Sequence, residues 1–253
     1  MQIFCVANQK GGCGKSTTAD ALSAYLSKRG NVLSVDLDAQ CNLTAAYGLD
    51  PYAGGASVLE YLSGQCSLSE AVRKARNDIV PCSPYLTASL GDARFTGALT
   101  RLRKALHALK SRYDFAVIDT PPGISLLSLS AMASADVVIV PASADLFSIR
   151  AIEELLKTVE AVKKEAGHAV SVGGILLTRH TPRSNLSKFA AEQIASLARA
   201  KGVPLLTSFI RECVAVKEAQ AFGRDIFDYA PNSNAAADYA AAFDEIFKRA
   251  KEE

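Results

Sequence analysis

The stretch from Gln9 to Thr18 reads Gln-Lys-Gly-Gly-Cys-Gly-Lys-Ser-Thr-Thr, and it decides the fold class of this chain. It follows a short apolar run and precedes an Ala- and Leu-rich helical pattern, which is the context of a phosphate-binding loop. Glycine tolerates positive φ, so backbone N–H groups can close around phosphate oxygens, and the following helix N-terminus adds its positive dipole end. The sequence therefore predicts a site for nucleotide phosphates.

Two lysines distinguish this loop from the general pattern of Gly, four residues and Gly-Lys-Ser/Thr. Gln9 stands at the position of the first glycine, and Lys10 adds a second lysine to Lys15. We expect Lys15 to reach the β- and γ-phosphates and the Ser16 hydroxyl to bind Mg²⁺. The predicted nucleotide-binding residues are Gly11, Gly12, Cys13, Gly14, Lys15, Ser16 and Thr17.

Carboxylates that end two other apolar runs complete the predicted site. Phe115–Asp119 reads Phe-Ala-Val-Ile-Asp, so its aspartate would end a buried strand and hold Mg²⁺ through water. Asp36 and Asp38 follow another apolar run, and the two-residue period of a strand puts both on one side. One of the two would suit ordering an attacking water, and the other would suit supporting it. The predicted magnesium site comprises Ser16, Asp38 and Asp119.

Strand-like runs alternate with amphipathic stretches along the chain. Runs that are apolar throughout are typical of strands buried on both faces, and their alternation with helices predicts a parallel sheet. We therefore predict an α/β P-loop NTPase, a mostly parallel twisted sheet with helices on both faces, as a single domain over residues 1–253. The predicted strands are Ile3–Ala7, Val32–Asp36, Ile79–Cys82, Phe115–Asp119, Val137–Pro141, Gly174–Thr178 and Pro204–Phe209. The predicted helices are Thr17–Arg29, Leu99–Ser111, Ile149–Ala166, Leu186–Ala200 and Ala235–Lys251, with loops and short helices over Tyr47–Arg94.

Composition argues against several classes of protein. Hydrophobic residues make up 49% of the 253 residues, and no apolar run approaches the roughly 20 residues that span a bilayer. The N-terminus has no basic stretch before an apolar one, so we expect no signal peptide and a cytoplasmic location. No two of the 6 cysteines are separated by only two residues, which argues against a metal site. The net charge of +2 neither indicates nor excludes nucleic-acid binding.

The motifs resemble those of the ParA, MinD and Soj group of P-loop ATPases, and the resemblance covers nearly the whole chain. It rests on Lys10–Ser16, Asp36–Gln40, Asp119–Pro122 and the tail Glu218–Gly223. It implies ATP and Mg²⁺ as cofactors, and Mg²⁺-dependent ATP hydrolysis. In this group a lysine such as Lys10 crosses to the ATP of a second subunit, which implies an ATP-sandwich homodimer. The resemblance also implies that Asp38 positions the hydrolytic water, so the predicted catalytic residues are Lys10, Lys15 and Asp38.

Short, Soj-like members of the group bind DNA non-specifically when they carry ATP. The chain begins at its first strand, so it resembles this short form, which lacks a helix-turn-helix extension. In Soj-like proteins a basic residue after a late strand contacts DNA, and Arg183 falls there. Where a second family arginine would lie this chain has Ala215, and the nearby cations Arg211 and Lys217 would substitute. The resemblance further implies a ParB-like partner that stimulates hydrolysis, a nucleoid-associated ATP state and no membrane binding.

Other interpretations of these motifs differ in partner or cargo. A MinD-like, membrane-associated positioning ATPase would end in an amphipathic helix; Phe243, Ile246 and Phe247 could form its apolar stripe, but neighbouring acidic residues favour packing on the core. An iron–sulfur carrier would need cysteines after the strand that ends at Asp119, and none lies between Asp119 and Arg211. A nucleotide-binding switch without turnover would need neither the second lysine nor the water-positioning aspartate. The cargo of a ParA-like ATPase stays open: a chromosome, a plasmid, a chemotaxis array or a carboxysome.

Overall fold

A parallel sheet forms the framework of the chain. The computed structural model describes residues 1–86, 101–180 and 184–249. Its strands are β1 (Gln2–Val6), β2 (Val32–Asp36), β3 (Asp78–Val80), β4 (Phe115–Asp119), β5 (Val137–Ser143) and β6 (Ser171–Thr178). They form a 6-stranded sheet in the order β3-β2-β4-β1-β5-β6, and all neighbouring pairs run parallel. The carboxyl ends of the strands therefore meet at one edge, where ligands bind in such sheets.

Helices connect the strands and flank the sheet. Ser57, Ser125, Asp145 and Ser184 each cap a helix by accepting a hydrogen bond from a backbone N–H in its first turn. The described helices are α1 (Lys15–Leu26), α2 (Asn42–Ala46), α3 (Val58–Leu62), α4 (Leu102–His107), α5 (Leu126–Ser134), α6 (Leu146–Glu165), α7 (Asn185–Lys201), α8 (Val214–Ala221), α9 (Ile226–Tyr229) and α10 (Asn234–Arg249).

Strand β1 shows why both faces of the sheet are covered. Ile3 and Cys5 pack into one apolar cluster with residues of α5, α6 and α7. Phe4 and Val6 point to the other face and pack with residues of α1 and α10. A strand covered on both faces needs apolar residues at every position, and the sequence has them. The predicted α/β fold class, with helices on both faces of a parallel sheet, is confirmed.

The prediction of a continuous strand at Pro204–Phe209 is wrong. Only isolated bridges at Leu205 and Ile210 join this segment to β6. Pro204 has no N–H to donate, and the Thr207 N–H donates to the Glu245 carboxylate of α10 at 2.9 Å instead of to the sheet. The Glu245 carboxylate thus holds this segment beside the edge of the sheet, where it forms no regular series of hydrogen bonds with β6.

Other predicted elements differ mainly at their ends. Strand β5 continues to Ser143, and β6 begins at Ser171, three residues before the predicted start at Gly174. The predicted helix Leu99–Ser111 is shorter in its described part, where α4 ends at His107 and turns follow. Within the predicted irregular region the structure has the short helix α3 and the edge strand β3, and residues 87–94 lie outside the described part.

The C-terminal helix α10 packs on the core. Phe243 is 0% exposed and Ile246 is 3% exposed. The Phe247 ring lies 5.6 Å from the Phe4 ring and 6.0 Å from the Tyr25 ring, measured between centroids. The apolar stripe that a membrane-binding helix would need is therefore covered by the chain itself. No helix in the described ranges has the length and apolar character to cross a membrane.

Glu245→Gln tests how the irregular edge is held. Two backbone N–H groups and the Thr207 hydroxyl donate to this carboxylate, so its neutralisation should lower the unfolding free energy by about 1 kcal/mol. Burial would raise the pKa of Glu245, but these hydrogen bonds outweigh it and hold the pKa below its ordinary value of 4.5. The stabilisation is therefore present above the unfolded-state pKa and lost as the pH falls through the folded-state pKa.

Urea unfolding of both proteins at neutral pH and at about pH 3 measures this difference, which should shrink in acid. Glu192→Gln on the exposed face of α7 is the matched control and should change little. Equal stability of wild type and Glu245→Gln at neutral pH, or a difference that persists unchanged in acid, would contradict the assignment.

Candidate functional site

The loop between β1 and α1 lies at the carboxyl edge of the sheet. Gly12 and Gly14 adopt left-handed conformations with φ of 72° and 86°. A Cβ at Gly12 would meet nothing within 4 Å, so the positive φ and not crowding accounts for glycine there. Gly14 caps α1, and the free N–H groups of the first helical turn therefore face the loop. This is the backbone arrangement of a phosphate-binding loop.

A cleft of about 410 Å³ opens above the loop. All the predicted nucleotide-binding residues except Cys13, which is fully buried, line this cleft. The Lys15 ammonium donates to the Lys10 carbonyl at 3.0 Å and has further N–H donors for phosphate oxygens. Gln40, Pro122 and Gln220 also line the cleft; they belong to the motifs that carry the resemblance, but the sequence analysis gave them no site role. Asn42, Ala45 and Ala46, which the sequence analysis did not name, line it as well.

Strand register places the predicted magnesium ligand beside the loop. Asp119 lies opposite Val6 of β1 and opposite Asp36 of β2. Asp119 is fully buried; its Oδ1 accepts from the Thr120 N–H at 3.0 Å, and its Oδ2 has no partner among the described residues. Burial and the Asp36 carboxylate raise the pKa of Asp119 well above its ordinary value, against the effect of a hydrogen bond with Ser16. A buried, unpartnered carboxylate oxygen beside a serine hydroxyl fits a hard cation such as Mg²⁺.

The two aspartates after β2 have different surroundings. Asp36 is fully buried and accepts from the Thr44 N–H at 2.9 Å and the Thr44 hydroxyl at 2.7 Å. Burial raises the pKa of Asp36 to about 6, although these hydrogen bonds oppose the shift. Asp38 lines the cleft, and its Oδ1 accepts from the Gln40 N–H at 3.0 Å. Asp38 is therefore the aspartate that faces the site, and Asp36 holds the segment that presents it.

Lys10 turns away from the cleft that Lys15 enters. Its ammonium forms an ion pair of 2.5 Å with Asp145, the N-terminal cap of α6, and it is not among the residues that line the cleft. Burial would raise the pKa of Asp145, but the hydrogen bonds from Lys10 and Ser148 outweigh it and lower that pKa. The two side chains are 30% and 33% exposed, so solvent reaches the pair. The lysines of one loop thus lie on two sides of it.

A smaller cleft of about 100 Å³ continues from the first beside α8. Thr17, Arg179 and Gln220 line both clefts, and Gln220 Nε2 lies 3.3 Å from Thr17 Oγ1. Arg179 has a φ of 51°, which is uncommon outside glycine. We expect this continuation to take the base and ribose of a nucleotide whose phosphates lie on the loop. The tail motif Glu218–Gly223, which contains Gln220, was the sequence signal that could have identified this wall.

The predicted DNA-binding residues are only partly described. Arg183 lies outside the described residues. Arg211 makes two hydrogen bonds of 3.0 Å and 2.6 Å to the Asp238 carboxylate, so its guanidinium is engaged within the chain. Lys217 is 70% exposed and lies 3.9 Å from Glu212. Arg211 and Lys217 line the smaller cleft, so the structure places them beside the expected base site.

Known protein families and relatives resemble this chain over most of its length. Residues 1–172 match the model of a family described as "AAA domain". The chromosome-partitioning ATPase Soj of Thermus thermophilus is 35% identical over 252 residues, which cover 98% of this chain and 96% of that protein. The sporulation initiation inhibitor protein Soj of Bacillus subtilis is 31% identical, with 94% and 95% covered. The chain belongs to the ParA and Soj family of P-loop ATPases. Its predicted family is thereby confirmed.

Solved structures share the fold over nearly the whole chain. Cobyrinic acid a,c-diamide synthase from Mycobacterium smegmatis, with bound ADP and magnesium, has a TM-score of 0.81 at 27% identity and covers 99% of this chain and 95% of its own. MinD of Pyrococcus horikoshii, complexed with Mg-ADP, has a TM-score of 0.78 at 25% identity, with 98% and 97% covered. Apo McdA has a TM-score of 0.87 at 23% identity, with 97% and 99% covered, and shows the fold alone. The family assignment and the two structures with bound nucleotide and magnesium confirm the predictions of an ATPase and of ATP with Mg²⁺ as cofactors.

Asp119→Asn tests two effects of this carboxylate: the cost of its burial to stability, and its role as a ligand of Mg²⁺. The variant without nucleotide should be more stable than wild type by about 1 kcal/mol, because a neutral amide replaces a buried group whose charged form is disfavoured. The effect of Mg²⁺ on ATP affinity should fall by about tenfold or more, because the ligand oxygen is lost. Thermal unfolding and ATP titration, each with and without Mg²⁺, measure the two effects. An unchanged Mg²⁺ effect on ATP affinity would remove Asp119 from the metal site.

Proposed function

We propose that the chain is a Mg²⁺-dependent ATPase of one domain that forms an ATP-sandwich homodimer, binds non-specific DNA and positions a cargo. The observation that supports this proposal is that the two lysines of the phosphate loop point in different directions. Lys15 lines the cleft of its own chain, whereas Lys10 faces out of it toward Asp145. A second lysine directed away from its own site is what a nucleotide site shared between two subunits requires.

The residues of the cleft provide what phosphoryl transfer needs, which is positioning and neutralisation of charge. Loop N–H groups and Lys15 would bind the phosphates, and Ser16, Asp38 and Asp119 would hold Mg²⁺. Asp38 lines the cleft, and its carboxylate is close enough to Asp119 to help raise the Asp119 pKa. Mg²⁺ supplies charge neutralisation on the phosphate oxygens when it is bound. Asp38 would accept a hydrogen bond from water and orient it, because Asp36 fixes the backbone that carries it.

Lys10 would complete the site of a second subunit. An ion pair between partly exposed side chains contributes only about 0–1 kcal/mol, so exchanging Asp145 for the phosphates of a partner's nucleotide costs little. The ammonium would then neutralise charge that develops during hydrolysis, as an arginine finger does in other P-loop enzymes. Hydrolysis would remove that charge and release the dimer.

The names of relatives support the rest of the cycle. The Thermus relative is a chromosome-partitioning ATPase, and a Myxococcus xanthus relative 30% identical to this chain is a chromosome partitioning protein. We infer that the ATP-bound dimer contacts DNA through basic residues that include Arg183 and Lys217, and that a ParB-like partner stimulates hydrolysis. Such a protein would work in the cytoplasm, on the nucleoid in its ATP state. The covered apolar face of α10 makes the MinD-like membrane alternative less favourable.

DNA retention in three nucleotide states tests this proposal. Protein with Mg²⁺-ATP should be retained on non-specific DNA, and protein with ADP or without nucleotide should not. Retention should fall steeply as salt rises, because contacts to phosphates release counterions. Asp38→Ala should keep ATP-dependent retention and lose hydrolysis, whereas Lys10→Ala should bind ATP as a monomer and lose both. Lys15→Ala should lose nucleotide binding outright.

Arg183→Glu should weaken DNA retention about tenfold or more while ATP affinity is unchanged. Lys164→Glu, an exposed change near the far end of α6, is the control for the altered net charge. Equal retention in all three nucleotide states would contradict the proposed switch. ATP-dependent binding to anionic vesicles in place of DNA would instead support the membrane-associated alternative.

A further inference from the structure

Arg76 joins three parts of the chain that are far apart in sequence. It lies just before β3, and its side chain is only 18% exposed. One terminal nitrogen, Nη1, donates to the Ala46 carbonyl at 2.7 Å and to the Gly223 carbonyl at 2.8 Å. The other, Nη2, donates to the buried Asp20 carboxylate of α1. The guanidinium also lies 4.1 Å from the centroid of the Tyr47 ring.

Two of these partners belong to two different segments that line the nucleotide cleft. Ala46 is the last residue of α2, and Asn42, Ala45 and Ala46 of this helix line the cleft close to Asp38. Gly223 follows α8 by two residues, and Gln220 of α8 lines both clefts. Arg76 itself lines neither of these clefts. It therefore acts on the site only through the segments it holds.

The two walls meet backbone against backbone at the point that Arg76 bridges. A Cβ at Gly223 would lie 3.0 Å from the Cα and 3.2 Å from the N of Gly48, just beyond α2. Gly48 and Gly223 both have positive φ, 73° and 65°. No side chain can interpose there, so the hydrogen bonds of Arg76 hold the α2 segment directly against the α8 segment. A movement of one wall would carry the other with it.

The third partner fixes this bridge to the helix that begins at the phosphate loop. Asp20 is 4% exposed, and burial raises its pKa to about 7 even though Arg76 opposes the shift. A planar guanidinium can serve two carbonyls and a carboxylate at once, whereas a lysine ammonium cannot reproduce that fork. The bridge thus links α1, α2 and α8 through one side chain of suitable shape.

We propose that Arg76 is a positioning residue for ATP hydrolysis, which couples the wall beside Asp38 to the wall formed by α8 so that both close on the nucleotide as one unit. This rests on the proposed function, in which Asp38 orients the attacking water. When the base of a nucleotide contacts α8, Arg76 would transmit that contact to α2. The segment that carries Asp38 would then move into place beside the phosphates. A small misplacement of a catalytic group costs up to about a hundredfold in rate, so the coupling bears on turnover more than on affinity.

Arg76→Lys tests the coupling, because it keeps the positive charge beside Asp20. Single-turnover hydrolysis should slow by about tenfold or more, while the dissociation constant for ADP should change less than about threefold, since the phosphate loop is intact. Arg73→Lys is the matched control. Arg73 lies three residues away and also donates to backbone carbonyls, those of Gly54 and Ala56, which do not line the nucleotide clefts. Its change should leave hydrolysis at the wild-type rate.

The double variant Asp20→Asn with Arg76→Met distinguishes positioning from a purely structural role. It removes both charges, so no unpaired buried carboxylate remains. Its thermal stability should therefore lie closer to wild type than that of Arg76→Met alone. Hydrolysis should stay slow, because no bridge joins the walls. If hydrolysis recovers together with stability, or if Arg76→Lys turns over at the wild-type rate, the coupling is refuted.

Hydrogen exchange supplies a readout that does not depend on turnover. In wild type, ADP should protect the amides of both α2 and α8, and in Arg76→Lys it should protect only one of the two helices. Equal protection of both helices in wild type and variant would overturn the coupling. If wild type binds nucleotide but does not hydrolyse ATP, the proposed function fails, and the exchange result still decides whether Arg76 joins the walls.

Discussion

The register between three adjacent parallel strands is the constraint on which the site depends. Asp119 of β4 lies level with Val6 of β1 and Asp36 of β2, so the phosphate loop and both carboxylate segments leave the sheet at the same height. That register is held by apolar strands buried on both faces, where a slip of one residue would exchange the side chains of the two cores. The buried carboxylate of Asp119 keeps one oxygen without a partner among the described residues, an arrangement that suits a hard cation.

Much of this arrangement could be predicted from local pattern. The phosphate loop, the apolar run ending at Asp119 and the alternation of strands and helices each have a periodic or positional signal, and the structure has these elements near the predicted places. The segment Pro204–Phe209 reads as a strand because Leu205, Leu206 and Phe209 make it largely apolar. Its backbone instead bonds to Glu245, a residue almost 40 positions away that no local pattern reveals. Local pattern also left the roles of Asp36 and Asp38 open, and only the family resemblance assigned the water to Asp38. In the structure the Thr44 contacts hold Asp36 inside the fold, whereas Asp38 lines the cleft.

The contacts that organise the site around the nucleotide are the least visible in sequence. Lys10 carries a family signal, yet its ion pair with Asp145 depends on the neighbouring position of β1 and β5 in the sheet. Arg76 carries no motif at all, because its partners are mostly backbone carbonyls, which any residue supplies. These two cations nevertheless have complementary roles, since Arg76 would hold the walls of one subunit's cleft together and Lys10 would join that cleft to a second subunit.

In the proposed dimer, Lys10 acts on the nucleotide of the partner subunit, whereas Asp38 acts on the nucleotide of its own subunit. Hydrolysis by an equimolar mixture of Lys10→Ala and Asp38→Ala proteins tests it most directly. Each protein alone should be nearly inactive, but in a mixed dimer the site of the Lys10→Ala subunit keeps its own Asp38 and receives Lys10 from its partner. We predict that the mixture recovers a substantial fraction of the wild-type rate. A mixture as inactive as its components, under conditions where mixed dimers form, would contradict the shared site.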